Sequence, residues 1–234
     1  MSFNPSKCFI MEISHKRNPP HRDYNFCGKV LGQPTSQPYL GVQLDNKLDW
    51  GEHISNNISK ANRILGLLRR NLWFCPKEVK TTAYTTLVRQ ILEYAGCAWD
   101  PYRKKMVNKL ERVQRRAARF CTGDYKRESS VSQMLLELEW DPLESRREKS
   151  RLAMMFKIQN DLVGGIQKDQ YTKISTTAGS RRNHTQHLEI PFAGKDVYKN
   201  SFFPRTSRAW NVLEQEAVSS TLLSGFKRQL NKTQ

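Results

Sequence analysis

The sequence predicts a mainly α protein, with a small antiparallel β-hairpin region at the N-terminus, a basic three-helix bundle, and further helices toward the C-terminus. From Ile54 onward apolar residues recur at alternating steps of three and four, the period that places them on one helical face. Proline and glycine stand at the joints between these periodic runs, where helices start and stop. Before residue 48 the apolar runs are short and broken by Asn, Pro and Gly, as strands and tight turns require.

The N-terminal elements come first. Lys7 to Ile13 is apolar and closed by Asn18-Pro19-Pro20, and Tyr24 to Leu31 and Tyr39 to Leu44 have the same character. Gly32, Pro34 and Pro38 separate the latter two segments, which predicts a small antiparallel sheet. Asp49 and Glu52 have the spacing of a capping box for a helix starting at Trp50. Ile54, Ile58, Ala61, Leu65, Leu68 and Leu72 form its apolar stripe.

Pro76 cannot continue that helix but suits the first turn of the next, whose stripe reads Val79, Ala83, Leu87, Ile91 and Tyr94 or Ala95, closed by Gly96. A third helix is expected with Asp100 as cap, Pro101 at the first position, and Met106, Leu110, Val113, Ala117 and Phe120 inward, ending at Gly123. None of the three can hide its stripe alone, so they should pack together. Asp141, Pro142 and Glu144 repeat the capping logic for a helix to about Leu162, with Leu152, Met155, Phe156 and Leu162 inward. Residues 164–197 read as a loop with one short strand at Leu188 to Ile190. The chain closes with a helix holding Trp210, Val212 and Leu213 and an amphipathic piece ending near Leu230.

Charge is concentrated. The 234-residue chain carries 39 Lys and Arg against 22 Asp and Glu, a net of +17, with 38% hydrophobic residues. Residues 1–59 hold 6 basic and 5 acidic side chains, 60–127 hold 17 and 5, and 128–234 hold 16 and 12. Most of the excess therefore lies in under a third of the chain, as expected of a surface that meets a polyanion. Along the third helix Lys105, Lys109, Arg112, Arg116 and Arg119 follow the rhythm of the apolar stripe one residue out of phase, and Arg115 widens the row. One residue is about 100° of helix rotation, so the row is a ridge flanking the buried face. Glu111 is the one acid among residues 101–123, which leaves the cations repelling one another unless a polyanion relieves them.

Nucleic-acid phosphates fit such a row, and arginine can hold one bidentately. The competing reading pairs the ridge with Glu137 or Glu139 in the service of the fold. Arg69 and Arg70, followed by Trp73 and Phe74, add a basic and aromatic cluster, although aromatic side chains dominate cores and Trp73 is read as core first.

Other chemistry is not visible. Five cysteines with wide gaps and no Cys-x-x-Cys argue for reduced thiols and against a zinc ribbon or knuckle. His184 and His187 are two ligands short of a metal site and read as solvated loop histidines. There is no Asp-Asp or Asp-x-Asp pair to hold polymerase metals, and no Gly-x-Ser-x-Gly. No apolar run reaches about 18 residues, and no export signal is visible, so an intracellular place, cytoplasm or nucleus, is expected.

An ordered set of motifs carries a resemblance. Tyr39-Leu40-Gly41-Val42, Leu48-Asp49-Trp50, His53-Ile54 and Leu68-Arg69-Arg70-Asn71-Leu72 are followed by Ala83-Tyr84, Leu87-Val88-Arg89 and Leu92-Glu93-Tyr94-Ala95. Then come Trp99-Asp100-Pro101, Val113-Gln114-Arg115-Arg116-Ala117-Ala118-Arg119-Phe120, Arg146-Arg147, Ser201-Phe202-Phe203-Pro204-Arg205 and Trp210-Asn211. Together they resemble the region after the palm in LINE-type, jockey-like non-LTR retrotransposon reverse transcriptases.

The resemblance implies that residues 1–48 correspond to the end of the palm and a primer-grip-like β region, 49–123 to a thumb-like bundle, 124–163 to a helical extension, and 164–234 to a loop-rich C-terminal region. It implies as partners RNA and DNA, as a template-primer duplex, and the palm and fingers, with no membrane. The intact family enzyme uses magnesium; no cofactor is expected here, because the metal-binding aspartates are absent, and the chain is expected to be a truncated part without activity of its own. The candidate nucleic-acid-binding residues are Arg69, Arg70, Lys105, Lys109, Arg112, Arg115, Arg116 and Arg119. A retained non-enzymatic nucleic-acid-binding module and a helical protein-interaction scaffold are the alternatives.

Overall fold

The computed structural model describes residues 4–17, 22–175 and 184–232. The chain forms two compact units, Met1–Lys60 and Ala61–Gln234. In the first, β1 (Asn25–Phe26) pairs with β2 (Lys29–Val30), and β3 (Ser36–Tyr39) with β4 (Val42–Asp45), as two separate antiparallel hairpins. Both turn on two residues at positive φ, Cys27-Gly28 and Leu40-Gly41, the conformation whose twist matches that of the strands.

Tyr24 to Leu31, which reads as one strand, is thus a whole hairpin, and Tyr39 to Leu44 spans the turn and second strand of the other. Pro38 lies inside β3 opposite Gln43, which a two-stranded sheet tolerates because both strands are edges. Among the described residues Lys7 to Ile13 makes one isolated bridge, Phe9 with Gly32. The Asn18-Pro19-Pro20 break falls outside the described residues.

Helix α1 (Gly51–Asn71) begins in the first unit and ends in the second. Asp49 caps it by accepting the Gly51 amide at 2.8 Å, whereas Glu52 accepts the Ser36 hydroxyl at 2.7 Å. Ile54, Ala61, Leu65 and Leu68 are buried along it, as the stripe predicts.

In the second unit α2 (Lys77–Ala83), a π-helical turn (Tyr84–Val88) and α3 (Arg89–Glu93) form one continuous rod. Its buried face is Lys80, Tyr84, Val88 and Leu92, one residue on from the expected stripe, and Val79, Leu87 and Tyr94 are exposed. Two polar residues carry the true face. The Lys80 ammonium sits 5.6 Å from the Phe120 ring centroid. The Tyr84 hydroxyl donates to Gln114 Oε1 at 3.1 Å while its ring stacks on Trp140, and burial pushes its phenol pKa far up.

The rod ends before Gly96. Ala95 takes a left-handed conformation (φ 52°), and Gly96 opens the short α4 (Gly96–Trp99).

Helix α5 (Lys104–Thr122) starts later than expected, after an extended Arg103 and without a side-chain cap. Asp100 does not cap it. It is buried instead, held by Arg147 Nε at 2.6 Å on Oδ1 and by Arg151 Nε and Arg205 Nη2, each at 3.2 Å, on Oδ2. Val107 takes the inward place expected of Met106, followed by Leu110, Val113, Ala117 and Phe120.

After α6 (Val131–Glu137) comes α7 (Leu143–Gln159), which packs against α3, α4 and α5 and also against α10 (Phe202–Trp210) and α12 (Leu223–Lys232). No side chain of its own caps α7; Glu111 of α5 accepts the Glu144 amide at 2.9 Å, and Asp141 pairs with Lys149. Leu152, Met155 and Phe156 are buried as expected, but the helix stops before Leu162, which is exposed.

Leu152, Met155 and Phe156 share a core with Leu188, Trp210, Phe226 and Leu230, and with Ala217 and Val218 of the short α11 (Gln215–Val218). Two further turns, α8 (Lys168–Tyr171) and α9 (Asp196–Lys199), lie in the connection, and Leu188 bridges Ile174 in place of a longer strand. Asn211 meets both backbone groups of Leu188, accepting its N–H and donating to its C=O at 2.8 Å each. Val212, beyond α10, is exposed.

His184 is not solvated. It is buried, with Nε2 3.0 Å from the Trp210 carbonyl.

Two outcomes follow. Asp100→Asn leaves three arginines around a neutral amide and should cost about 3–5 kcal/mol in chemical denaturation, as removal of one partner from a buried pair does. Burial lowers the His184 pKa from its ordinary 6.5. The unfolded chain therefore takes up a proton that the folded chain resists, and stability should fall as pH drops below about 6.5. Replacing His184 by Gln should flatten that part of the profile.

Candidate nucleic-acid interface

One face of α5 is committed to the core, which fixes where its cations go. Lys105, Arg112, Arg115 and Arg116 are exposed, while Lys109 and Arg119 are half-buried at the edge of the packed face. Among the described residues no carboxylate pairs with Lys105, Lys109, Arg112 or Arg115. The nearby acids are engaged elsewhere: Glu137 with Lys77, Glu144 with Lys104 at 3.1 Å, and Glu111 with the start of α7.

The remaining two ridge residues bind within the chain. Arg116 Nη1 donates to Asn62 Oδ1 of α1 at 3.1 Å. Arg119 turns its guanidinium onto the loop that follows α5, donating to the carbonyls of Asp124, Lys126 and Ser129 at 3.4, 2.9 and 3.5 Å. That loop leaves the helix through Gly123 at φ 70°, a left-handed position that glycine adopts without steric cost.

Arg119 thereby positions Tyr125. The Tyr125 ring stacks on Trp73 with centroids 5.8 Å apart and planes 25° from parallel, and Arg69 Cζ lies 5.4 Å from the Tyr125 centroid. Trp73 is 46% exposed, not core, and Phe74 beside it is 97% exposed. The chain breaks out of α1 at Asn71 and re-enters helix only at Lys77, so Trp73 and Phe74 lie beyond the packed stripe. Arg70 is exposed on the last turn of α1.

The site thus has two parts: an exposed cationic row on α5, and a cluster of Arg69, Tyr125 and Trp73 whose two part-exposed rings are of the kind that meets a planar group. Tyr125 is absent from the sequence-derived residues. An isolated aromatic in the charged run Asp124-Tyr125-Lys126-Arg127 is the signal that points to it.

Among the described residues no group of three or more His, Cys, Asp or Glu could hold a metal ion, and no helix is long and apolar enough to cross a membrane.

No family model and no solved structure matches the chain. It is similar to a probable RNA-directed DNA polymerase from transposon BS of Drosophila melanogaster, 26% identical over 132 residues. The match covers 52% of this chain and 14% of the relative, so the chain spans a small fraction of that protein's length. This distant similarity supports a region related to a transposon reverse transcriptase.

The geometry separates two kinds of arginine. Arg119→Gln removes donors from three loop carbonyls and should lower stability by about 1–3 kcal/mol. Arg112→Gln should stay within about 0.5 kcal/mol of the parent in the same denaturation experiment.

Proposed function

We propose that this chain is the nucleic-acid-binding thumb and C-terminal region of a LINE-type, jockey-like retrotransposon reverse transcriptase, gripping a template-primer duplex of RNA and DNA without catalysing synthesis itself. The observation that carries the reading is the row of Lys105, Lys109, Arg112 and Arg115, whose charges no carboxylate of the described residues neutralises. A duplex offers phosphates along its backbone, and such contacts position it without reading bases. The Arg69, Tyr125 and Trp73 cluster suits an unstacked base or strand end. The similarity to a transposon polymerase supports the same reading.

One observation favours a second reading, a helical scaffold that contacts another protein. Val79 and Leu87 are exposed on the α2–α3 rod and Tyr94 just after it, apolar groups that a protein partner could cover.

Salt separates the two. Displacing counterions from about six phosphates gives a log-log slope near −5 on duplex, whereas an apolar interface is far less sensitive. Changing Lys105, Arg112 and Arg115 together to Gln should reduce that slope by about 2 to 3 and weaken binding equally across sequences. A parent protein whose binding ignores salt refutes the thumb reading. On primed RNA with magnesium or manganese the chain should incorporate no nucleotide, because it has no Asp-Asp or Asp-x-Asp pair. Template-dependent extension above a blank would refute that.

A further inference from the structure

A second concentration of positive charge lies away from α5. The wall of a cavity of about 440 Å³ is formed by α7 and α12 together with residues of α3 and α4, and includes Arg146, Arg147, Lys149, Lys157 and Lys227. Two acids line it as well, Glu93 and Asp141. Both are already held: Arg146 donates to Glu93 through Nε and Nη2, and Lys149 pairs with Asp141 at 2.9 Å. Among the described residues no carboxylate pairs with Lys157 or Lys227.

Arg147 differs from the others. Its side chain is 1% exposed, and only its Nε reaches a carboxylate, that of Asp100. Nη1 and Nη2 are buried without an acceptor among the described residues. Asp100 is itself shared with Arg151 and Arg205, so one negative charge stands against three positive ones. A buried guanidinium in deficit of both charge and acceptors is costly, and an anion nearby offsets that cost.

We propose that this cavity is an oxyanion site that takes a phosphate or diphosphate group, with Lys157 and Lys227 as direct ligands and Arg147 supplying field from the buried side. Arg146, Lys149 and Arg147 each meet a carboxylate, which leaves Lys157 and Lys227 as the lining cations without one, a match for a multiply charged anion rather than a single carboxylate. Lysine ammoniums on flexible stems bind phosphate as point charges. The volume admits a diphosphate with part of its hydration shell. The same chemistry comes either from a free diphosphate or from the phosphorylated end of a strand. The site shares no residue with the α5 row and stands independently of the proposed function.

The test measures thermal unfolding of the full chain with inorganic diphosphate, against sodium chloride at matched ionic strength. At about ten times its dissociation constant, diphosphate should raise the melting temperature by about 3–6 °C over the chloride control. The double variant Lys157→Gln with Lys227→Gln should melt like the parent in chloride and lose the shift. Arg147 is left intact, since its removal unseats Asp100. The Lys105, Arg112 and Arg115 variant should keep the shift, which separates this site from the α5 row.

A short single strand with and without a 5′-phosphate distinguishes the sources. A shift that needs the 5′-phosphate assigns the site to strand ends, and a shift from diphosphate alone assigns it to the free anion. Equal stabilisation by diphosphate and chloride, or a shift that survives in the double lysine variant, overturns the proposal.

Discussion

One buried carboxylate organises the larger unit. Asp100 stands at the joint between α4 and α5 and draws Arg147 and Arg151 from α7 and Arg205 from α10, while its backbone carbonyl accepts Arg205 Nη1 at 3.0 Å. Three helices far apart in sequence are thereby referred to one point. Hydrophobic burial supplies the bulk of the driving force but is non-directional. Directed guanidinium contacts restrict which turn of α7 faces the joint. A carboxylate removed from water needs such partners, and the guanidinium groups in turn need it.

The surface row follows from that interior. Once α7 is seated, the inner face of α5 is filled by Leu110, Val113, Ala117 and Phe120, and Gln114 is fixed between Tyr84 and the Asp141 carbonyl. The remaining circumference of α5 is left to Lys105, Arg112, Arg115 and Arg116. Glu111, the acid nearest to them in sequence, is turned to the start of α7. Packing and electrostatics thus act together around α5: its acid is engaged by the fold, and its outer cations are left on the surface.

Much of this was legible beforehand, for identifiable reasons. The stripe of α1 and the inward residues of α5 are apolar residues at helical spacing, a signal that survives tertiary packing. In the rod from α2 to α3 the apolar period points one residue away from the buried face, because two of its buried members, Lys80 and Tyr84, look polar. Each meets partners distant in sequence, Lys80 the Phe120 ring and Tyr84 both Gln114 and Trp140. Asp100 before Pro101 has the pattern of a helix cap, and only the distant arginines show its other use. The ridge was readable as a period, but the loop bonding of Arg119 and the arrival of Tyr125 at Trp73 depend on a turn that spacing does not encode. Leu162 and His184 failed similarly: the first lies past a helix end, and the second is drawn inward by a carbonyl at the end of α10.

The amide of Asn211 has a consequence of another kind. Leu188 shows one side of its backbone to Asn211, while the flanking His187 carbonyl and Glu189 amide bond Ser175 and Lys173 on the other. A lone extended segment usually leaves one row of donors and acceptors open to recruitment by any other chain. Here a single side chain occupies that row and imitates a neighbouring strand. At Leu188 the backbone is thus finished on both sides within its own molecule, so the helical second unit keeps a scrap of β-pairing whose open side is closed at that residue.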